Sequence, residues 1–348
     1  MDMETPASSR RIDILQSLRG IFAIFIFLHH LDIFPAGGDA GVAFFLMLSG
    51  FVMTYGFADR VCGDTFSYGA YMRRRMARIY PLHLACLLAA LLLLHGEVWS
   101  AGPVALSLNL VLMQSWVPLP EVYFSGNAVA WCLSDLLFFY CIFPTVTRLL
   151  ARMPRMLIAV TAAAGMAVYA GVLMLTPGHC LTGIVYVNPL MRLPDFMIGI
   201  ALWHLWKSTG MRMERKARML STLLEAGVWC LFAWWVMLYA RVPESVGLAS
   251  WWWPVSALLI LVFLRRRKGL IARLLSVRAA VKAGELSFSF YMVHQLVIRA
   301  MQHCFARMDA DPGIAVRIAV AFLLSAAATW AVHRYVEVPG RRWLLRSV

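Results

Sequence analysis

The stretch YMRRRMARIYPLHLACLLAALLLLH, residues 71–95, sets the class of this protein. Arg73, Arg74, Arg75 and Arg78 crowd its first turns, and the run from 79 to 95 then carries no Lys, Arg, Asp or Glu. A helix rises about 1.5 Å per residue, so a run of this length comes close to crossing ~30 Å of hydrocarbon. Basic residues packed against one end of such a run mark the cytoplasmic flank of a membrane helix.

The same pattern recurs outward in both directions. Apolar runs lie at about 14–31, 41–58, 79–95, 128–147, 156–176, 190–206, 222–240, 249–264, 286–304 and 314–333. Of the 348 residues, 61% are hydrophobic and 14% charged, whereas a soluble domain carries about 25% charged residues. Mean hydropathy is +0.71. The expected fold is therefore an all-α polytopic membrane protein with about ten transmembrane helices. The net charge of +14 sits in short clusters between the runs, so it reads as a topology signal and not as a nucleic-acid footprint.

An eleventh apolar run, 103–117, is short and contains Asn109 and Gln114. If it crossed the membrane, the basic clusters after it would fall on the opposite side from those before it. These include Arg148, Arg152 and Arg155; Arg212, Arg215 and Lys216; Arg266, Arg267 and Lys268; and Arg341, Arg342 and Arg346. It is read as a re-entrant or interfacial segment, with both termini cytoplasmic. The expected organisation is a tail over 1–13, a membrane domain over 14–333 and a tail over 334–348, with no fused soluble domain. The first run contains Arg19, His29 and His30 and lacks a small-residue cleavage site, so it is expected to be retained. The seven cysteines show no CxxC pairing, and no metal site is expected.

Charged side chains are costly in hydrocarbon, about 2.5–3.5 kcal/mol each on insertion scales, so those inside the runs are functional candidates. Arg19 and His30 are eleven residues apart. At about 100° per residue they share one helix face, ~16 Å apart along the axis. A neutral imidazole there can act as a base, and Arg19 can serve function or snorkel to the headgroups. Asp135, Arg192 and Asp195 also lie in runs, where an ion pair or a helix cap explains them as well as a functional role does. Tyr291 and His294 share a face of the 286–304 run. His83 and His303 sit toward run ends and are read as interfacial. Arg74, Arg75 and Arg78 can bind anionic lipid headgroups or a phosphorylated cofactor, because guanidinium forks suit phosphate.

Five segments together resemble the acyltransferase-3 family of bacterial membrane O-acyltransferases, from Leu18 almost to the C-terminus. They are LRGIFAIFIFLHH (18–30), GVAFFLMLSGFVM (41–53), YMRRRMARIYP (71–81), LSFSFYMVHQ (286–295) and YVEVPGRRWL (335–344). The first matches the family's arginine, ten residues, histidine pattern at Arg19 and His30. The third matches its basic motif at Arg74, Arg75, Arg78 and Pro81. One segment departs from the pattern. WCLSDLLFFYCIFP (131–144) carries Cys132 and Leu136 where the family usually has Ser and Glu, with Asp135 one position early. At 192–196 Asp195 stands where the family often has Glu.

The resemblance implies transfer of an acyl group, usually acetyl from acetyl-CoA, to a carbohydrate hydroxyl. His30 and Arg19 would be catalytic, and Arg74, Arg75 and Arg78 would bind coenzyme A. Asp135, Arg192, Asp195, Tyr291 and His294 would line the cavity. The expected partners are a carbohydrate or lipid-linked glycan, acyl-CoA and membrane lipids, with a separate soluble acyl-accepting protein also open. The expected location is the bacterial cytoplasmic (inner) membrane. A transporter or flippase, or a non-catalytic scaffold, stands as the alternative, since intramembrane His and Arg also mark substrate pathways.

Overall fold

The computed structural model describes residues 6–209, 218–265, 269–309 and 312–346. Within these it contains helices and no strand. The longer helices are α1 (Pro6–His29), α2 (Ala36–Val61), α3 (Tyr68–Leu93), α4 (Gly102–Leu110), α5 (Trp131–Arg152), α6 (Arg155–Leu175), α7 (Pro189–Ser208), α8 (Arg218–Tyr239), α9 (Trp253–Arg265), α10 (Leu270–Leu275), α11 (Arg278–Arg307), α12 (Ile314–Val332) and α13 (Val338–Arg346). Six helical stretches are long and apolar enough to cross a membrane: Ala36–Val61, Tyr68–Leu93, Ala128–Arg152, Arg155–Leu175, Arg218–Tyr239 and Ile314–Arg346. Ser250–Leu264 is a shorter apolar helix. This is an all-helical membrane architecture, and each apolar run of the sequence falls largely within a helix.

Three boundaries differ from the sequence reading. The helix begins well before the apolar run at 79: α3 starts at Tyr68, capped by the Ser67 side chain, and carries Arg73 to Arg78 and Pro81 within it. The N-terminal stretch is helical from Pro6. The stretch after 333 forms a π-turn, His333–Glu337, followed by α13. The basic residues Arg212, Arg215, Lys216, Arg266, Arg267 and Lys268 lie outside the described residues.

The chain divides into two compact units. The first comprises residues 1–52, 195–243 and 249–291. Its helices meet backbone to backbone at glycine. A Cβ on Gly199 of α7 would fall on the Met47 carbonyl of α2, and one on Gly50 of α2 would fall on the Phe196 carbonyl of α7. Gly284 of α11 likewise abuts the Gln16 carbonyl of α1. Small residues at crossings of this kind let dispersion contacts hold helices together where no hydrophobic force acts between them. Around them packs an aromatic core. Phe22 stacks on Phe44 at 3.9 Å and meets Phe232 edge-on at 5.7 Å, and Phe232 reaches Trp252 at 6.1 Å.

Several buried polar groups of this unit tie its helices together. Tyr239 donates to Asp39 at 2.5 Å, tying α8 to α2. Glu225 of α8, fully buried, accepts from the Ala272 amide at 3.0 Å, and Thr222 accepts from the Leu270 amide at 3.1 Å. These are the amides that a helix start leaves without partners, here at the first turn of α10. Gly269 leaves room for the Glu225 carboxylate, since a Cβ there would collide with it.

The second unit comprises residues 53–194, 244–248 and 292–348. α13 lies against α3, with Gly340 so close to Pro81 that a Cβ would sit 2.5 Å from the proline ring. α6 is apolar around its circumference, and Tyr169 is its one buried residue among those described. Such a helix presents its side chains to lipid. Segment 101–130 turns sharply at two points: Leu112, just past the end of α4, takes φ 57°, and Gly126 takes φ 61°.

Gly199→Ala puts a methyl against the Met47 carbonyl, which cannot rotate away. Overpacking of this kind costs about 1–3 kcal/mol. The expected outcome is a lower thermal midpoint for the purified protein in detergent, whereas Gly171→Ala, at an open position of α6, should leave it unchanged. Equal midpoints for the two would remove the crossing from the account of stability.

Candidate active site

In the first unit the site residues sit on or beside α1. Arg19 is half-buried in its middle, with Nη1 donating to Gln16 Oε1 at 3.4 Å. His30 is not deep within the helix. It is the first residue past its end, held by a bond from its Nδ1 to the Ile26 carbonyl at 2.9 Å. A neutral ring that donates from Nδ1 carries its lone pair on Nε2. Arg19 and His30 lie on one face of the same helix, about three turns apart, so they do not touch.

Local sequence fixes the end of this helix. His29 Nδ1 donates to the Pro35 carbonyl at 2.7 Å, and its ring meets the His30 ring edge-on at 5.2 Å. Asp32 takes the left-handed conformation at φ 59°, and the amides of Asp32 and Ile33 bond back to the His29 and Leu28 carbonyls. Gly37 and Gly41 then let α2 descend against α1, since a Cβ on either would strike Phe25 or Ile26. The turn 30–35 is thereby clamped from both helices.

Two further candidates lie in this unit. Asp195, fully buried, accepts from Trp253 Nε1 at 3.1 Å. Tyr291, 7% exposed, meets Phe45 edge-on at 6.2 Å.

In the second unit α3 carries the basic cluster. Arg74 is exposed; Arg75 and Arg78 are half-buried. The Arg75 guanidinium lies 4.5 Å over the Phe57 ring and 5.8 Å from Tyr140, with Nη1 3.2 Å from Met53 Sδ. Its Nε is buried without a hydrogen-bond partner among the described residues. No carboxylate pairs with Arg74, Arg75 or Arg78 among the described residues. The charges whose fields act on Arg75 include two more arginines, Arg78 and Arg341. Arg341 and Arg342 follow Gly340, the residue packed on Pro81. The sequence had placed this pair among topology charges. The YVEVPGRRWL motif is the signal that joins it to α3.

Asp135 and Arg192 are fully buried. Arg192 Nη1 donates to the Leu248 carbonyl at 3.0 Å, and the guanidinium lies 5.7 Å over the Tyr186 ring. His294 is fully buried in α11. His83, read as interfacial from its place in the run, is also fully buried, with Nε2 donating to the Asn109 carbonyl at 3.0 Å. Among the described residues no group of His, Cys, Asp and Glu could hold a metal ion.

Chemically, the first unit offers an oriented imidazole on one helix face with a cation, and the second offers a cationic edge in which Arg74, Arg75 and Arg78 have no carboxylate partner among the described residues. A family model described as an acyltransferase domain matches residues 12–334. The chain is 30% identical over 293 residues to the acyltransferase MdmB of Streptomyces mycarofaciens, a match covering 75% of this chain and 68% of that protein. It is 33% identical over 81 residues to protein 2 in the picA locus of Rhizobium radiobacter, covering 22% of this chain and 42% of that one. No solved structure matches the chain. The match over residues 12–334, which takes in both the α1 pair and the arginines of α3, places the chain in the acyltransferase-3 family.

Proposed function

We propose that this protein is an O-acyltransferase that moves an acyl group, acetyl in the simplest case, from acyl-CoA to a hydroxyl of a cell-surface or lipid-linked carbohydrate. The observation that carries the reading is the trio Arg74, Arg75 and Arg78 on α3, for which no carboxylate partner stands among the described residues, with Arg341 and Arg342 of α13 following the Gly340 contact on Pro81. Coenzyme A is a phosphorylated polyanion, and guanidinium forks bind phosphate oxygens in pairs. The proposal places ten crossings in the bacterial cytoplasmic membrane with both termini cytoplasmic, which puts Arg74, Arg75 and Arg78 on the side where acyl-CoA is made.

In this mechanism His30 takes the proton of the acceptor hydroxyl at Nε2. The hydroxyl oxygen attacks the thioester carbonyl, a C–O bond forms, and the C–S bond breaks. Coenzyme A leaves as the thiolate and takes up the proton from His30. Arg19, about three turns from His30 on the same helix, is proposed to bind the acyl donor. Asp135, Arg192, Asp195, Tyr291 and His294 are proposed as polar lining. Asp135 is the carboxylate nearest the position of the family's Glu, which Leu136 occupies here.

The test is transfer from radiolabelled acetyl-CoA by the purified protein in liposomes, with a glycan extract from the host as acceptor. Label should appear in glycan with the wild type and be lost with His30→Ala, while the mutant keeps its thermal midpoint. Full activity of a folded His30→Ala would remove the base from the mechanism. No label in glycan or in any protein, together with no coenzyme A binding, would favour a transporter or scaffold.

The arginines make a separate expectation. Losing a charge-assisted bond to phosphate costs about 1.5–3 kcal/mol, or roughly ten- to a hundredfold in affinity. Arg75→Ala and Arg78→Ala should each raise KM for acetyl-CoA by that factor and change kcat little. An unchanged KM in both would move the donor site elsewhere.

A further inference from the structure

In the second unit two tyrosines of α3 meet a proline of α5. Pro144 lies inside α5. A proline there withholds the amide that would bond the carbonyl four residues back, which is that of Tyr140. Tyr71 Oη donates to the Tyr140 carbonyl at 3.0 Å, and Tyr68 Oη, one turn earlier, donates to the next carbonyl, Cys141, at 3.3 Å. The Tyr71 bond is buried: Tyr71 is 3% exposed and Tyr140 4%. A carbonyl left without a donor in such a place is costly, and in a membrane helix a neighbouring side chain must supply what the proline withholds.

The same tyrosine touches both walls of the slot that holds Arg75. Arg75 follows Tyr71 by four residues, on the same face of α3. Its guanidinium lies 4.5 Å over the Phe57 ring and 5.8 Å from the Tyr140 ring. The Tyr71 ring meets Phe57 edge-on at 5.6 Å and stacks on Phe143, beside Pro144, at 6.3 Å. One wall of the slot thus rests on the ring of Tyr71, and the backbone of the other is tied to its hydroxyl. Among the described residues no carboxylate holds Arg75, and Met53 Sδ stands 3.2 Å from Nη1. The aromatic walls therefore decide where the guanidinium fork points.

We propose that Tyr71 is a positioning residue for Arg75, acting through the carbonyl that Pro144 leaves without its amide. Tyr71 itself meets no ligand. Its hydroxyl fixes α3 against α5 at the level of the slot, and so holds the fork ready for an anion. That the anion is coenzyme A rests on the function proposed above; the bond between Tyr71 and α5 does not.

Tyr71→Phe removes one oxygen and keeps the ring. With the full-length protein in liposomes, the Kd for labelled coenzyme A and the KM for acetyl-CoA should both rise about three- to tenfold, as for one lost hydrogen bond, while kcat holds. On an Arg75→Ala background the same change should add nothing to either constant. Pro144→Ala restores the withheld amide. In detergent, Tyr71→Phe should therefore lower the thermal midpoint of the wild type and hardly alter that of Pro144→Ala. If Tyr71→Phe does not fold alone, folding of the double variant with Pro144→Ala supports the bond, and its failure overturns it. Equal falls in midpoint on both backgrounds also overturn it. Constants unchanged in Tyr71→Phe but raised in Arg75→Ala overturn the positioning role and leave the donor site standing. Coenzyme A binding that is absent from the wild type, or unchanged in both variants, overturns the donor site at Arg75 and the positioning role with it.

Discussion

Backbone-to-backbone approach at glycine sets the spacing on which the first unit depends. Lipid tails are as apolar as leucine, so burying apolar side chains does little to pull helices together inside a bilayer. What remains is dispersion, which falls away within a fraction of an ångström. Gly50 and Gly199 each lie under the opposite helix's carbonyl, and Gly284 lies under that of Gln16. These contacts fix α1 against α11, and Gly37 and Gly41 fix α2 against α1. The orientation of His30 follows, because its ring is held at the end of a helix that has no room to slide.

The second unit answers a different demand. A helix bundle can hold many arginines at an edge if each is solvated, paired or stacked. Arg75 is stacked on aromatic rings and largely removed from water, with no acid supplied. Cation–π contact is worth up to about 2 kcal/mol when desolvated, which offsets only part of what burial of a guanidinium costs. Bringing α13's arginines alongside adds repulsion. An anion bound there, as the proposed function has it, would relieve all these terms at once.

Helices were legible in the sequence wherever hydropathy ran long enough, and the break in the helix after Leu110 falls within the short polar-bearing run 103–117. The start of α3 was not legible. The apolar run starts only at 79, whereas the helix takes in the basic residues before it and Pro81 as well, since proline leaves a helix intact when neighbouring helices fill the gap around it. His83 was misplaced for a related reason. Its position was judged from the end of the apolar run, although burial follows from a partner, the Asn109 carbonyl, that sequence spacing cannot reveal. Glu225 escaped notice as a carboxylate inside an apolar run because its partners are main-chain amides of α10, which have no sequence signature. Arg19 and His30 were legible as a pair by spacing; the turn that clamps His30 depends on Asp32 and Pro35 and emerges only in three dimensions.

The seat of Gly340 on Pro81 also has a consequence for how the molecule comes to be made. The ribosome delivers α3 well before α13. Membrane helices can enter the bilayer one after another as they are synthesised, but this contact must wait until residue 340 has emerged. Until then the arginines of α3 stand without the face that α13 completes. That face matures later than the helices between α3 and α13, which can enter the bilayer before it exists.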